Sequence, residues 1–550
     1  MNSLFSPAHR QSLVISLTAF FTSLLLIALV SVLVLISFRG GAYFWPEPIY
    51  DVTYKDAVGS EYGAINNTSD TNEADNGNKK PQTSIKDRKN RENKENRIFA
   101  QLYITDEAER IYQVHYADDQ SPYGAQMQLA EADVINMELA HNSAEIKTID
   151  GRFVLGQPQF LTTPDSRRQD LSHFADIQSR VTALSSQIEK IRSERLSPIH
   201  ESLASLDGKG VNRNAPARKR LETQFERWQH DVIHFEQERD EYELRITFAN
   251  AQEYSIRVSE IKSIDYVSQL SYFEKWQVVF NRVATFLTDS PKQANTSGGV
   301  FPALFGTVLM VFLMTIIVTP FGVLAAIYLS EYAPDTPFTT AIRISVSNMA
   351  GVPSIVYGVF GLGFFVYTLG GNIDAFFFAD KLPAPTMGTP GVFWASLTMA
   401  ILTLPVVIVA TEEGLRRVPE GLKRGSYALG ATKVETIVKT ILPIASPGIM
   451  TGVILAIARA AGEVAPLMLV GAVKFAPTLP IDGEFPYLHL ERQFMHLGVL
   501  IYDGAFHSST DAKNSSMMFA ACLLLLMVVF VLNVLAVILR TRLRKRYLQG

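Results

Sequence analysis

Residues 411–443, TEEGLRRVPEGLKRGSYALGATKVETIVKTILP, form a charged, helix-forming insert in an otherwise strongly apolar C-terminal half. The apolar helix that follows carries Arg459 and Glu463 in its middle. A turn of a few residues suffices to connect two membrane spans, so a polar segment of this length has a reason of its own. It is expected to be a cytoplasmic docking element, the point at which a partner protein acts on a membrane subunit.

Working outward, the apolar runs set the fold class. Between Arg10 and Arg39 lie 28 residues without Asp, Glu, Lys or Arg, and further charge-free runs cover 293–330, 344–373, 382–411, 440–458 and 514–539. A helix needs about 20 apolar residues to cross the hydrocarbon core. Within lipid, backbone polar groups must be satisfied inside the segment. Six spanning helices are expected, of which the fifth, at about 446–473, tolerates charge in its centre. The first reads as an uncleaved anchor: its apolar core exceeds the roughly 7–15 residues of a signal peptide, and Phe38-Arg39-Gly40-Gly41 makes a poor cleavage site. The net charge of −4 gives no sign of nucleic-acid binding, and the one cysteine, Cys522, excludes an intrachain disulfide framework.

Orientation follows from Lys and Arg near the span ends. The tail RTRLRKR (540–546) and the insert, with Arg416, Arg417, Lys423, Arg424, Lys433 and Lys439, should both be cytoplasmic. Alternation then puts the N-terminus and the loop 331–343 inside, and 40–297 and 475–513 outside. The expected fold is an α-helical polytopic membrane protein of six transmembrane helices. A large α+β periplasmic insertion containing a coiled-coil hairpin separates the first and second spans. The domain limits are 1–39, 40–297 and 298–545.

Within the insertion, residues 60–97 are rich in Asn, Asp, Lys and Glu and read as a disordered tether. Alternating runs at 98–104 and 111–116 suggest a hairpin, as do 244–248 with 254–258, and Asp150-Gly151 marks a turn. Leu171, Phe174, Ile177, Val181, Leu184, Ile188 and Ile191 recur at helical spacing, as do Leu221, Phe225, Trp228, Val232 and Phe235. With the turn Asp207-Gly208-Lys209-Gly210 between them, they suggest an antiparallel coiled-coil hairpin over about 166–243. An amphipathic stretch, 267–287, places Trp276, Phe280 and Phe286 at the membrane surface. His230 and His234 have metal-capable spacing but no third ligand in view, so they read as surface histidines.

In the apolar half, Thr319-Pro320-Phe321-Gly322 is expected to interrupt the second span and Gly351-Val352-Pro353-Ser354 the third, while Pro405 lies within the fourth. Gly358, Gly361 and Gly363 suit close helix approach. Most such glycines serve packing alone. Broken helices also line polar pathways, where freed backbone groups meet a solute. Asn348 and Ser354 are candidates for that role. Arg459 and Glu463, four residues apart, would share a helix face and pair. Uncompensated charge at the bilayer centre costs about 2.5 kcal/mol or more per residue. The pair is either a structural bridge between helices or part of a pathway, and its cost favours the second. A guanidinium at 459 suits an oxyanion.

The insert carries no nucleotide site. Gly425 and Gly430 faintly suggest a phosphate loop, but Ala431-Thr432-Lys433 follows and no apolar strand leads in. It reads as two short helices, with Pro419 opening the first, Gly430 breaking it and Pro443 ending the second.

These residues carry a family resemblance. The insert, with Gly430, Ala431 and its Leu442-Pro443 end, resembles the cytoplasmic coupling loop of binding-protein-dependent ABC importers. VTPFGVLAAIYLSEYA (318–333), NMAGVPSIVYGVFGLGFF (348–365), YALGATKVETI (427–437) and GIMTGVILAIARAAGEVAPLML (448–469) resemble the PstA family of phosphate permease subunits over about 298–545. The insertion resembles an extension of longer members. The resemblance implies import of inorganic phosphate across the inner membrane without a cofactor. It also implies a second related permease, two copies of a cytoplasmic ATPase and a periplasmic phosphate-binding protein. The family's Glu-Ala-Ala falls at Arg424-Gly425-Ser426, where the acid has become a base. Competing readings are a permease for molybdate or sulfate, a membrane-anchored periplasmic sensor, and a proton-coupled secondary transporter. A sensor needs neither six spans nor a mid-membrane ion pair, and a secondary transporter is expected to show two comparable halves that this chain lacks.

Overall fold

A computed structural model describes residues 7–55, 95–106, 110–164, 167–208, 215–292, 297–379, 383–483, 485–507 and 512–548. It divides into two compact units, Trp45–Phe280 and the remainder.

The first unit is mixed. A five-stranded sheet has the order β4-β3-β2-β1-β5, from β1 (Tyr50–Lys55), β2 (Glu95–Asp106), β3 (Ile111–Ala117), β4 (Ala125–Ala130) and β5 (Val134–Leu139). A second sheet has the order β10-β9-β7-β6-β11, from β6 (Ala144–Thr148), β7 (Phe153–Thr162), β9 (Glu243–Thr247), β10 (Glu253–Arg257) and β11 (Ile261–Asp265), with β8 (Arg168–Gln169) beside β7. Period-two alternation turns Val154, Leu244, Ile246 and Ile256 into one core, where Ile177, Val181 and Leu184 of a helix meet them. Residues 60–94 of the expected tether lie outside the described residues, and Glu95, Asn96 and Arg97 belong to β2.

Three helices follow: Phe174–Ile191 packs on that sheet's core, with Phe235 of Pro216–Asp240 against it, and Ser197–Gly208 packs on Pro216–Asp240. Asp207-Gly208 ends the second of these, and 209–214 lie outside the described residues. His230 and His234 are exposed. Among the described residues, no group of three or more His, Cys, Asp or Glu is placed to hold a metal.

Among the described residues, the second unit contains six helices long and apolar enough to cross a membrane. They are α1 (Ile15–Ala42), α2 (Phe301–Tyr332), α3 (Ser354–Phe377), α4 (Val392–Arg416), α5 (Lys433–Gly462) and α6 (Ser516–Arg542). Met310, Met314 and Val318 of α2 pack with Met399 and Val407 of α4 and with Ala456 and Ala460 of α5. These three helices form the centre of the bundle. Small residues let backbones close in: a Cβ on Gly448 would lie 2.6 Å from Gly414 Cα, and one on Gly322 would lie 2.7 Å from Val407 Cγ1.

Several sequence expectations are corrected. Helix α2 runs through Pro320 without a break. The third span begins at Ser354, not near 344, and Pro337–Met349 is a separate helix. Pro443 does not end its helix, because a π turn at Ile437–Ile441 precedes it. The wider i→i+5 turn makes room for a ring that a regular helix would reject. Gly363 meets nothing within 4 Å, unlike Gly358 and Gly361. Phe286 is buried, edge-on to Phe44 at 5.3 Å, and so does not face lipid.

Candidate functional site

The insert folds into a compact hairpin of helices. Glu420–Ala428 starts after Pro419, and Gly430 at φ +85° closes it, a conformation that glycine adopts without Cβ strain. The Gly430 and Ala431 amides donate to the Tyr427 and Ser426 carbonyls, at 3.0 and 3.2 Å. Thr432 and Glu435 then cap α5 reciprocally. Across the turn, the Ser426 and Thr436 hydroxyls lie 2.9 Å apart. The outer surface is apolar with a basic flank: Leu429 is 91% exposed, and Leu422, Tyr427, Val434 and Val438 are also exposed. Arg424 is 83% exposed, with Glu420 at 4.0 Å. Beneath, Ile437 and Ile441 pack with Ala326, Leu329, Ile408 and Leu415.

Lys423 points the other way from Arg424 and pairs with Glu331 at 2.7 Å. Arg343 pairs with Glu412 at 3.2 Å and donates to the Leu329 carbonyl at 2.7 Å. The loop 331–343 therefore lies at the same end of the bundle as the insert.

From the insert, α5 continues for 30 residues to Gly462. There the chain breaks: Glu463 has extended backbone, φ −80° and ψ 136°, and a short helix resumes at Ala465–Val470. The expected mid-helix position for the charged pair is corrected accordingly. Arg459 lies in the last turn and Glu463 just beyond it. They still meet, at 3.6 Å, with side chains 33% and 22% exposed.

A second break faces this one. Helix Pro337–Met349 ends before Gly351-Val352-Pro353, and α3 starts at Ser354. The Tyr357 hydroxyl donates to the Met349 carbonyl across the gap, at 2.8 Å. A Cβ on Gly358 would lie 2.7 Å from Pro466 Cα, so the two broken segments touch backbone to backbone. Asn348 is exposed and Ser354 half-buried. The structure brings their helix break to the Arg459–Glu463 break, but no hydrogen bond joins either residue to that pair.

His496, absent from the sequence candidates, sits beside the same break. A Cβ on Gly498 would meet Val464 Cγ2 at 2.6 Å and His496 Nδ1 at 3.1 Å. Its Nδ1 accepts from the Gly498 amide at 3.1 Å, while Nε2 has no partner among the described residues. Burial lowers its pKa to about 4, so the ring is neutral at physiological pH. One histidine in an apolar run carries no sequence signal that would have singled it out. Asp374 was also missed, although its charge directly after the apolar run 344–373 was a signal that could have found it. It is buried and accepts from the Thr386, Met387 and Gly388 amides at 2.7–2.9 Å.

Six apolar helices among the described residues, two apposed helix breaks and one polar hairpin with an exposed apolar face define a class: polytopic helical membrane proteins. Residues 318–546 match the family model "Binding-protein-dependent transport system inner membrane component". The phosphate transport system permease protein PstA of Mycobacterium leprae is 40% identical over 195 residues, covering 35% of this chain and 58% of the relative. PstA 1 of Mycobacterium tuberculosis strain H37Rv is 34% identical over 246 residues, covering 44% and 70%. PstA of Yersinia pestis is 32% identical over 255 residues, covering 46% and 76%. An inward-facing methionine ABC transporter, MetNI, aligns at TM-score 0.32 and 19% identity, over 44% of this chain and 94% of that one. The chain belongs to the PstA family of binding-protein-dependent transport system inner membrane components.

Proposed function

We propose that this chain is the permease subunit of an ATP-driven importer of inorganic phosphate, with the ATP hydrolysed by a separate cytoplasmic subunit. The observation that carries the reading is the continuity of α5. One helix of 30 residues, about 45 Å at 1.5 Å per residue, has a polar docking hairpin at its start and the Arg459–Glu463 pair at its end. A displacement at the hairpin therefore has one helix along which to reach the pair, through the π turn at Ile437–Ile441. Arg459 is assigned to the substrate oxyanion, Glu463 to restraining its guanidinium, and the break at Asn348 to Ser354 to the opposite wall of the pathway. Arg424, Gly425, Ser426, Gly430, Ala431, Leu442 and Pro443 form the coupling surface.

The partners are a second phosphate permease, two copies of the ATP-binding subunit and a periplasmic phosphate-binding protein. The excess of Lys and Arg on the insert and tail supports an inside position for both, with the N-terminus. The units then read as 1–39, a periplasmic insertion 40–297 with a coiled-coil hairpin, and the permease domain 298–545. The test is phosphate-stimulated ATP hydrolysis and uptake by the complex in proteoliposomes. Arg459→Gln should assemble and lose uptake. Normal uptake would reduce Arg459 to a structural residue, and stimulation by sulfate or molybdate in place of phosphate would reassign the substrate.

A further inference from the structure

The end of the second span grips both limbs of the insert. Helix α2 finishes in a π turn, Tyr328–Tyr332. Its Leu329 is buried in the apolar core beneath the hairpin, together with Ile437 and Ile441 of the other π turn. The residues that follow point at the hairpin. Glu331 Oε1 meets Lys423 Nζ at 2.7 Å, with side chains only 9% and 14% exposed. The Lys433 ammonium lies over the Tyr332 ring, 4.5 Å from its centroid. Lys423 belongs to the helix before Gly430 and Lys433 to the helix after it. Two adjacent residues of one span thus hold the two arms of one hairpin.

The energetics favour a fixed geometry. Removing Glu331 leaves the nearly buried Lys423 ammonium with only the exposed Glu420 carboxylate at 3.8 Å among the described residues, so the Glu331–Lys423 contact resists separation. The cation–π contact adds a second, independent hold. Both residues lie within the π turn, a feature that recurs at functional positions.

We propose that Tyr328–Tyr332 is a clamp that couples the docking hairpin to the second span, with Glu331 and Tyr332 as positioning residues. This rests on the reading of the insert as the site where an ATPase acts. It adds a second route for the motion: α5 carries it to the Arg459–Glu463 pair, and α2 carries it to the Met310–Val318 face that packs on α4.

The test uses the whole complex in proteoliposomes, with ATP hydrolysed per phosphate imported as the readout. Glu331→Gln should still co-purify with the ATP-binding subunits and hydrolyse ATP, while hydrolysis per phosphate rises about fivefold or more. The swap of Glu331→Lys with Lys423→Glu should restore the ratio, and Lys433→Met should raise it to a smaller degree. An unchanged ratio in Glu331→Gln, or a swap no better than either single substitution, overturns the clamp. If Glu331→Gln does not assemble, Lys433→Met decides: an unchanged ratio there also overturns it. A second arm needs no substrate: amide exchange over 420–430 should accelerate in Glu331→Gln and return in the swap, and unaltered exchange overturns the clamp. A wild-type complex that imports no phosphate defeats the functional reading instead, and the exchange arm still decides the clamp.

Discussion

At the scale of single residues, neighbours on one helix do opposite jobs. Lys423 is turned inward to Glu331, and Arg424 is turned outward with nothing firmer than Glu420 at 4.0 Å. An exposed pair of this kind is worth little, so Arg424 is available to a partner. It stands where the family resemblance places an acid, and the cognate ATPase is therefore expected to present an acidic or neutral group there. Arg424→Glu should lower coupled ATP hydrolysis with the native partner, and a rise would sink the idea. Arg424, Arg459 and Glu463 were legible in the sequence because charge beside or within apolar runs is conspicuous. Glu463's extended backbone was not, since i, i+4 spacing reads as helix whether or not the helix stops. His496 was not legible at all: its neutral state comes from burial against segments distant in the chain.

Among elements, the decisive contacts are between helices that glycine brings together. Gly448 of α5 crosses Gly414 of α4 at a point where an added Cβ would sit 2.6 Å from the opposing Cα. The atoms it meets are backbone and cannot swing aside. Gly448→Val should destabilise the folded protein by about 1–3 kcal/mol, the usual cost of overpacking, seen as a lower thermal midpoint in detergent. Gly363→Val, with nothing within 4 Å, should leave the midpoint unchanged. Sequence alone ranked Gly363 together with Gly358 and Gly361. Which of them faces a neighbour depends on helix rotation, and the π turns at 361–370 and 437–441 alter that rotation locally. Proline was misjudged for a related reason. Pro320 and Pro443 lie inside helices, Pro443 just after a π turn, whereas the break at 350–353 contains glycine and proline together.

At the scale of the whole molecule, the mixed unit presents an exposed aromatic face that is expected to lie at the membrane surface. Trp45 follows Ala42, the last residue of α1, by three positions. It packs edge-on to Trp276 at 5.7 Å, and Tyr272, Phe273, Trp276 and Phe280 of helix Tyr272–Thr288 are exposed. Amphipathic aromatic rings favour the headgroup level. In proteoliposomes with Trp228 and Trp394 replaced by Phe, the fluorescence of Trp45 and Trp276 should be quenched by lipids brominated near the carbonyl. Quenching only by aqueous iodide would place this face in water. The sequence located this stretch as amphipathic but put Phe286 on the wrong side, because the ring that covers it, Phe44, lies 242 residues earlier in the chain.

By itself the sequence determined the number of spans, the polar hairpin between the fourth and fifth, and the charged residues that the membrane must accommodate. Each of these follows from local composition and transfer free energy, which need no partner to evaluate. Only the tertiary structure decided where helices break, which glycines are crossing points, and that Glu331 reaches Lys423 across 92 residues of chain. Those outcomes depend on whether a neighbouring backbone or side chain satisfies a freed group or charge, and no window of local sequence contains that neighbour. The insert that opened the reading as a polar interruption is thus held from below by the end of another span.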